Sequence, residues 1–142
     1  MNKINQANIN NIVADKWFVG RAVKGSGRGK TLGFPTINLT TDQFNNVAMK
    51  QWNKIEMGVY LCQIKIDDQI YKGLLHYGPK PTFGYSRPGL EIHVLDFNKE
   101  IKKGEKIQFK LLKYLRKIKK FKTGNALINQ IKKDILLQFH IF

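Results

Sequence analysis

The chain has one cysteine, Cys62, four arginines, and no apolar run near the 18 residues that a membrane-crossing helix needs. A lone cysteine excludes an internal disulfide and leaves no Cys pair for a zinc ribbon. The histidines His76, His93 and His140 are too scattered to form a local metal-ligand pattern. The N-terminal stretch MNKINQANINN is too polar for the apolar core of a signal peptide. These absences together predict a soluble, cytoplasmic protein with no membrane partner. Acidic residues are also scarce: 10 Asp and Glu stand against 25 Lys and Arg, for a formal charge of +15. That charge suggests a nucleic-acid partner. However, only Arg21, Arg28, Arg87 and Arg116 are arginines, and base readout and bidentate phosphate contacts favour arginine over lysine. The abundance of Lys, Ile and Asn is also what an AT-biased coding sequence produces. A solvated lysine surface that attracts polyanionic small molecules accounts for the same composition, and nucleic acid is not expected as the partner.

What is present is the material of one domain: 142 residues, 42% of them hydrophobic. Residues 1–15 are expected to form an arm or linker and 16–142 the domain, acting as a monomer. WFVGRAVK from Trp17 is strand-like, and PTINLT is a short second strand. Residues 40–56 are mixed and are expected to be a connection. In GVYLCQIKI, Tyr60, Cys62, Ile64 and Ile66 share one face, and Asp67-Asp68 is a turn signal before QIYKGLLHYG, so the two runs predict a hairpin. The turn-rich GPKPTFGYSRPG precedes LEIHVLDF, with Leu90, Ile92 and Val94 on one face and Glu91, His93 and Leu95 on the other. In KIQFKLLKYL, Ile107, Phe109 and Leu111 point inward, and the alternation slips at Leu111-Leu112 as a bulge would make it. Only the end is helical in pattern: Leu127, Ile131, Ile135 and Phe139 recur every four residues beside Ile128 and Leu136, with Thr123 or Asn125 as the cap. The expected fold is mainly β, a six-stranded antiparallel barrel with a C-terminal α-helix.

The chemistry concentrates in GSGRGKTLGFPTIN, residues 25–38. It is not a P-loop, because the first required glycine falls on Lys24 and Pro35 stands where the helix should begin. A G-x-G-x-x-G fingerprint fails at Lys30. Gly25, Gly27 and Gly29 nonetheless let backbone amides approach an anion without Cβ obstruction, and Arg28 and Lys30 add positive charge; a flexible loop reads equally well. Thr36 and Asn38, two apart on a strand, face the same side and offer oxygens to a hard cation, although β-propensity for the threonine and a turn for the asparagine explain them too. Glu91, on the polar face of its strand, is the candidate general base or a solvent-facing carboxylate.

Five segments in register resemble the riboflavin kinase family over about residues 16–136: G-x-G-R-G-x-x-L-G-x-P-T-x-N from Gly25 to Asn38, GVY at 58–60, PTFG at 81–84, LEIHVLDF at 90–97 and YLRKIKKF at 114–121. This module occurs alone in some organisms and as the C-terminal half of bifunctional FAD-synthesising proteins. The resemblance implies a Greek-key barrel that transfers a phosphoryl group from ATP to riboflavin, giving FMN and ADP with Mg²⁺. It implies ATP contacts from Gly25, Gly27, Arg28, Gly29, Lys30, Thr31, Thr36, Asn38, Val94 and Asp96, metal contacts from Thr36 and Asn38, and a catalytic carboxylate at Glu91. Flavin would be met by Arg116, Lys119 and Phe121. His93 is read as structural or as a support behind the contacting residues, not as a base.

This chain departs from the family at three places: Ile37 is larger than the usual residue, Ile118 stands where an acidic residue is common, and Lys103 stands where an aromatic often precedes the glycine. No histidine precedes His76, so the adenylyltransferase signature of the bifunctional proteins is missing and the expected product is FMN, not FAD. Two other readings remain open at this point. One is a basic barrel that binds single-stranded nucleic acid, and the other is a degenerate kinase module that binds flavin without turnover.

Overall fold

The computed structural model describes residues 15–23, 36–40, 44–80, 85–97, 99–119, 126, 129–134 and 136. Six strands, β1 (Phe18–Val23), β2 (Thr36–Thr40), β3 (Gly58–Ile66), β4 (Gln69–Lys80), β5 (Tyr85–Val94) and β6 (Lys106–Arg116), close into an antiparallel barrel in the order β1-β2-β5-β4-β3-β6. Three consecutive strands, β3 to β5, lie side by side and β6 returns beside β3, which is the Greek-key arrangement. A seven-residue helix, α1 (Asn46–Trp52), links β2 to β3. Residues 126, 129–134 and 136 are helical and belong to the C-terminal helix, α2.

Alternation along the strands builds the interior. Tyr60, Cys62 and Ile64 of β3, Leu75 of β4, Ile92 of β5 and Ile107 and Phe109 of β6 are all fully buried in one core. The β3–β4 hairpin turns on Asp67 and Asp68, both with positive φ (50° and 64°), as the right-handed twist of a two-residue hairpin demands. The slip expected at Leu111-Leu112 is present. Cys62 pairs with Leu111 while Leu61 pairs with Lys113, so Leu112 is the extra residue of a bulge.

Two stretches carry more regular structure than their sequences suggested. Within residues 40–56 the chain forms α1, capped by the Asn45 side chain, which accepts a hydrogen bond from the Ala48 amide at 2.8 Å. Phe44, Ala48 and Trp52 recur every four residues, and this face stops one end of the barrel. Trp52 lies 5.2 Å from Phe18, 5.7 Å from Phe109 and 4.9 Å from Tyr77 by ring centroids. Seven residues are too few for periodicity to stand out from the surrounding polar sequence. The stretch GPKPTFGYSRPG, read as turn-rich, contributes strand at both ends. β4 continues to Lys80 and β5 begins at Tyr85, and the register shifts between Gly78 and Lys80. Pro79 and Pro88 are accommodated in that irregular stretch of the ladder, where prolines cost least.

On the outside of β3 and β4, Val59, Leu61 and Leu74 are buried although the alternation points them away from the interior. The C-terminal helix is tied to this side of the barrel. Asp134 accepts from Arg116 Nε at 3.3 Å, from Arg116 Nη2 at 3.0 Å and from Gln130 Nε2 at 3.0 Å, with only 2% of the aspartate exposed.

Candidate active site

Strand register decides which polar side chains meet. β2 pairs with β5 so that Asn38 lies opposite Glu91 and Thr36 opposite His93. Ile37 and Leu39, the alternate residues, pack into the core, which turns Thr36, Asn38, Glu91 and His93 to the outer surface together. All four are half-buried. Thr36 Oγ1 donates to Glu91 Oε2 at 3.4 Å, a long bond that places hydroxyl and carboxylate side by side without locking either. The same row continues to His76 of β4, which lies opposite Glu91, then to Val59 of β3 and Arg116 of β6. One outward band thus carries Asn38, Glu91, His76 and Arg116 around the barrel.

Beside Glu91 the surface is cut back. Gly89, its neighbour on the same face of β5, lies opposite Gly78, and a Cβ on Gly89 would meet nothing nearer than the Gly78 carbonyl at 3.9 Å. On Gly78 (φ 138°) an added Cβ would come within 3.3 Å of Ile118, so the segment that follows β6 passes next to this face. A cleft of about 300 Å³, lined by Leu39, Thr40, Met49, Trp52, Tyr77 and Leu90 among others, opens at the α1 end of the same strands.

The expected residues fare unequally. Thr36, Asn38 and Glu91 are brought together. Val94 is 6% exposed and packs in the core, on the inward phase of β5 shared with Leu90 and Ile92. Asp96 is exposed just beyond β5 with φ 53°. Arg116 is held by Asp134 and also donates Nη1 to the Lys117 carbonyl at 3.1 Å, so its guanidinium is engaged within the protein. Lys119 is exposed. Gly25, Gly27, Arg28, Gly29, Lys30, Thr31 and Phe121 lie outside the described residues, as do Thr123 and Asn125. The strand that leads into the glycine segment is anchored, because Ala22 exchanges backbone hydrogen bonds with Gly104 and Glu105 at 2.7 and 2.8 Å. Lys103 therefore stands in the turn beside that anchor.

Among the described residues no three His, Cys, Asp or Glu side chains cluster as a metal site. The hydroxyl of Thr36 and the amide of Asn38, next to a carboxylate, are nevertheless the oxygen donors a hard divalent cation accepts when phosphates supply most of its ligands.

A family model described as riboflavin kinase (flavokinase) matches residues 15–142. The chain belongs to the riboflavin kinase family. Among curated relatives, this family member is 32% identical over 129 residues to a bifunctional riboflavin kinase/FMN adenylyltransferase of Bacillus subtilis, covering 88% of this chain and 38% of that protein. It is 35% identical over 117 residues to an RNA-binding riboflavin kinase, RibR, of the same organism, covering 82% and 46%. The chain thus spans less than half the length of these relatives. Among solved structures, a riboflavin kinase from Trypanosoma brucei shares the fold, with a TM-score of 0.58 at 19% identity over 88% of this chain and 78% of that one. A Streptococcus pneumoniae structure titled macrolide-efflux protein superposes with a TM-score of 0.72 at 27% identity, over 94% and 43%.

Two residues of this region escaped the sequence reading. Asp134 lies on the apolar stripe of α2, three residues after Ile131, and a charge on such a stripe calls for a buried partner. His76 carried no motif, and only the β4–β5 register brings it to Glu91.

Proposed function

We propose that the chain catalyses ATP-dependent phosphorylation of the riboflavin 5′-hydroxyl, giving FMN and ADP. The single observation that carries this reading is the outward cluster of Thr36, Asn38 and Glu91, drawn from two strands by the β2–β5 register. Membership of the riboflavin kinase family supplies the substrate class.

The reaction needs positioning, charge neutralisation and an acceptor for the hydroxyl proton. Glu91 accepts that proton as the ribityl oxygen bonds to the γ-phosphorus and the bond from that phosphorus to the β–γ bridging oxygen breaks, so ADP leaves with the electron pair. Thr36 and Asn38 offer oxygens to a divalent ion, which when bound neutralises phosphate charge. The glycine segment 25–31 covers the phosphates, and the shallow surface at Gly78 and Gly89 leaves room for the substrate alcohol beside the carboxylate. Lys119 and Phe121 approach the flavin, and Arg116 contributes by fixing the start of their segment.

Purified protein incubated with riboflavin, ATP and Mg²⁺ should form FMN, read by chromatography with flavin fluorescence. Glu91→Gln should lower kcat by about 10²-fold or more, the size of a general-base contribution; undiminished turnover would remove Glu91 from that role.

A second reading is favoured by one observation on the face carrying β3 and β6, where Lys65 and Lys110 hold their ammonium groups 5.5 and 5.0 Å from the Trp17 ring. Cations and an aromatic together suit single-stranded nucleic acid. Salt-sensitive oligonucleotide binding that riboflavin does not disturb would support it.

A further inference from the structure

Glu91 needs more than Thr36 to act. A carboxylate that takes a proton in the transition state must be aimed at the hydroxyl, and a misplacement of about 1 Å costs on the order of 10²-fold. The Thr36 bond, at 3.4 Å, is too long to hold that aim by itself. The sheet places a second side chain against the carboxylate from the other side: His76 on β4 lies directly opposite Glu91 on β5, where facing Cβ atoms stand about 5 Å apart.

The surroundings of His76 single out that neighbour. On the outer face, Val59 lies across β3 and Leu74 precedes it on β4, both buried and apolar. Gly78 follows it on β4 with Ile118 packed above. His93 sits diagonally, opposite Leu74, and Arg116 is one strand further on, beyond Val59 and joined to Asp134. Among these groups Glu91 is the one carboxylate adjacent to the ring. We propose that His76 is a positioning residue for Glu91: backed by Val59, Leu74 and Ile118, its imidazole donates an N–H to the carboxylate and holds the second oxygen toward the substrate hydroxyl. This inference rests on the reading of Glu91 as the proton acceptor.

The test is a double-mutant cycle with a spectroscopic arm. His76→Ala should lower kcat about 10-fold, with KM for riboflavin and for ATP changed less than about 2-fold, because the ring touches neither substrate. His76→Asn, whose amide can donate in the same place, should recover most of the rate. In a Glu91→Gln background the His76→Ala change should cost little more, since two groups that act as a unit are not additive. In the folded wild-type protein the His76 ring-nitrogen NMR shifts should move on Glu91→Gln, and this measurement stands even where a position-76 variant fails to fold. Full activity of His76→Ala, a loss confined to KM, failure of the asparagine to rescue, an equal loss in the Glu91→Gln background, or ring-nitrogen shifts that ignore Glu91→Gln would each overturn the proposal while leaving the kinase reading intact. No FMN from the wild-type protein would remove both.

Discussion

At the residue scale, burial decides which side chains can take part in chemistry. Cys62 is fully enclosed and its thiol pKa is pushed well up by desolvation. Tyr60, also 0% exposed and donating its hydroxyl to the Glu56 carbonyl, is raised chiefly by burial and secondarily by Tyr114. Both groups are neutral acids whose folded values exceed their unfolded ones, so the folded state holds the protons more tightly. Their stabilisation is complete below the unfolded values of 9.0 and 10.0 and is lost as pH rises beyond them. Unfolding free energy from urea titrations should therefore fall as pH rises above about 9, by at most about 1.4 kcal/mol per pH unit for the thiol. Cys62→Ala should flatten the first part of that fall. The same burial predicts that Cys62 stays unmodified by a thiol reagent in native protein and reacts at the rate of unfolding.

At the element scale, the candidate site depends on how strands and the C-terminal helix are joined. The β2–β5 pairing joins residues 55 positions apart, Thr36 and Glu91, in the candidate site, and the Arg116–Asp134 ion pair ties α2 to the end of β6. The Asp134 side chain is 3% exposed and that of Arg116 15%, so removing the carboxylate strands a largely desolvated guanidinium. Asp134→Asn should cost about 2–4 kcal/mol of stability, with faster amide hydrogen exchange in 126–136 than in β3, measured by mass spectrometry. Equal exchange in the variant and the wild type would mean that other contacts hold the helix. The sequence announced much of this level. Alternation of Ile107, Phe109 and Leu111 marked the inward face of β6, the doubled Leu111-Leu112 marked its bulge, and Asp67-Asp68 marked the β3–β4 turn, because each is a local pattern with a local cause. α1 and the Arg116–Asp134 tie were harder to see: the first is too short to show a period, and the second is a pairing between elements.

At the scale of the whole molecule, the charge of +15 sits on a barrel that must close on itself. Lys106 and Lys113 on β6 and Lys72 on β4 are exposed on its outer surface, and their mutual repulsion opposes the compact state and is screened by salt. The midpoint of thermal unfolding, followed by circular dichroism, should rise by a few degrees between about 0.02 M and about 0.3 M NaCl, where the screening length falls from above 20 Å to about 6 Å. Among the described residues no helix is long and apolar enough to cross a membrane.

What the sequence determined by itself was everything with a short period or a fixed motif: the strands, the hairpin, the barrel class, the family, and the residue types at Thr36, Asn38 and Glu91. Only the tertiary structure decided their company. Closing six strands sets which residue lies across from which, and the fold brought Arg116 to Asp134 and His76, unremarkable in the chain, to the side of Glu91. The physical reason is that alternation sets which face a side chain takes, whereas its neighbour across the strand depends on register, and register is settled by all the strands of the closed barrel at once.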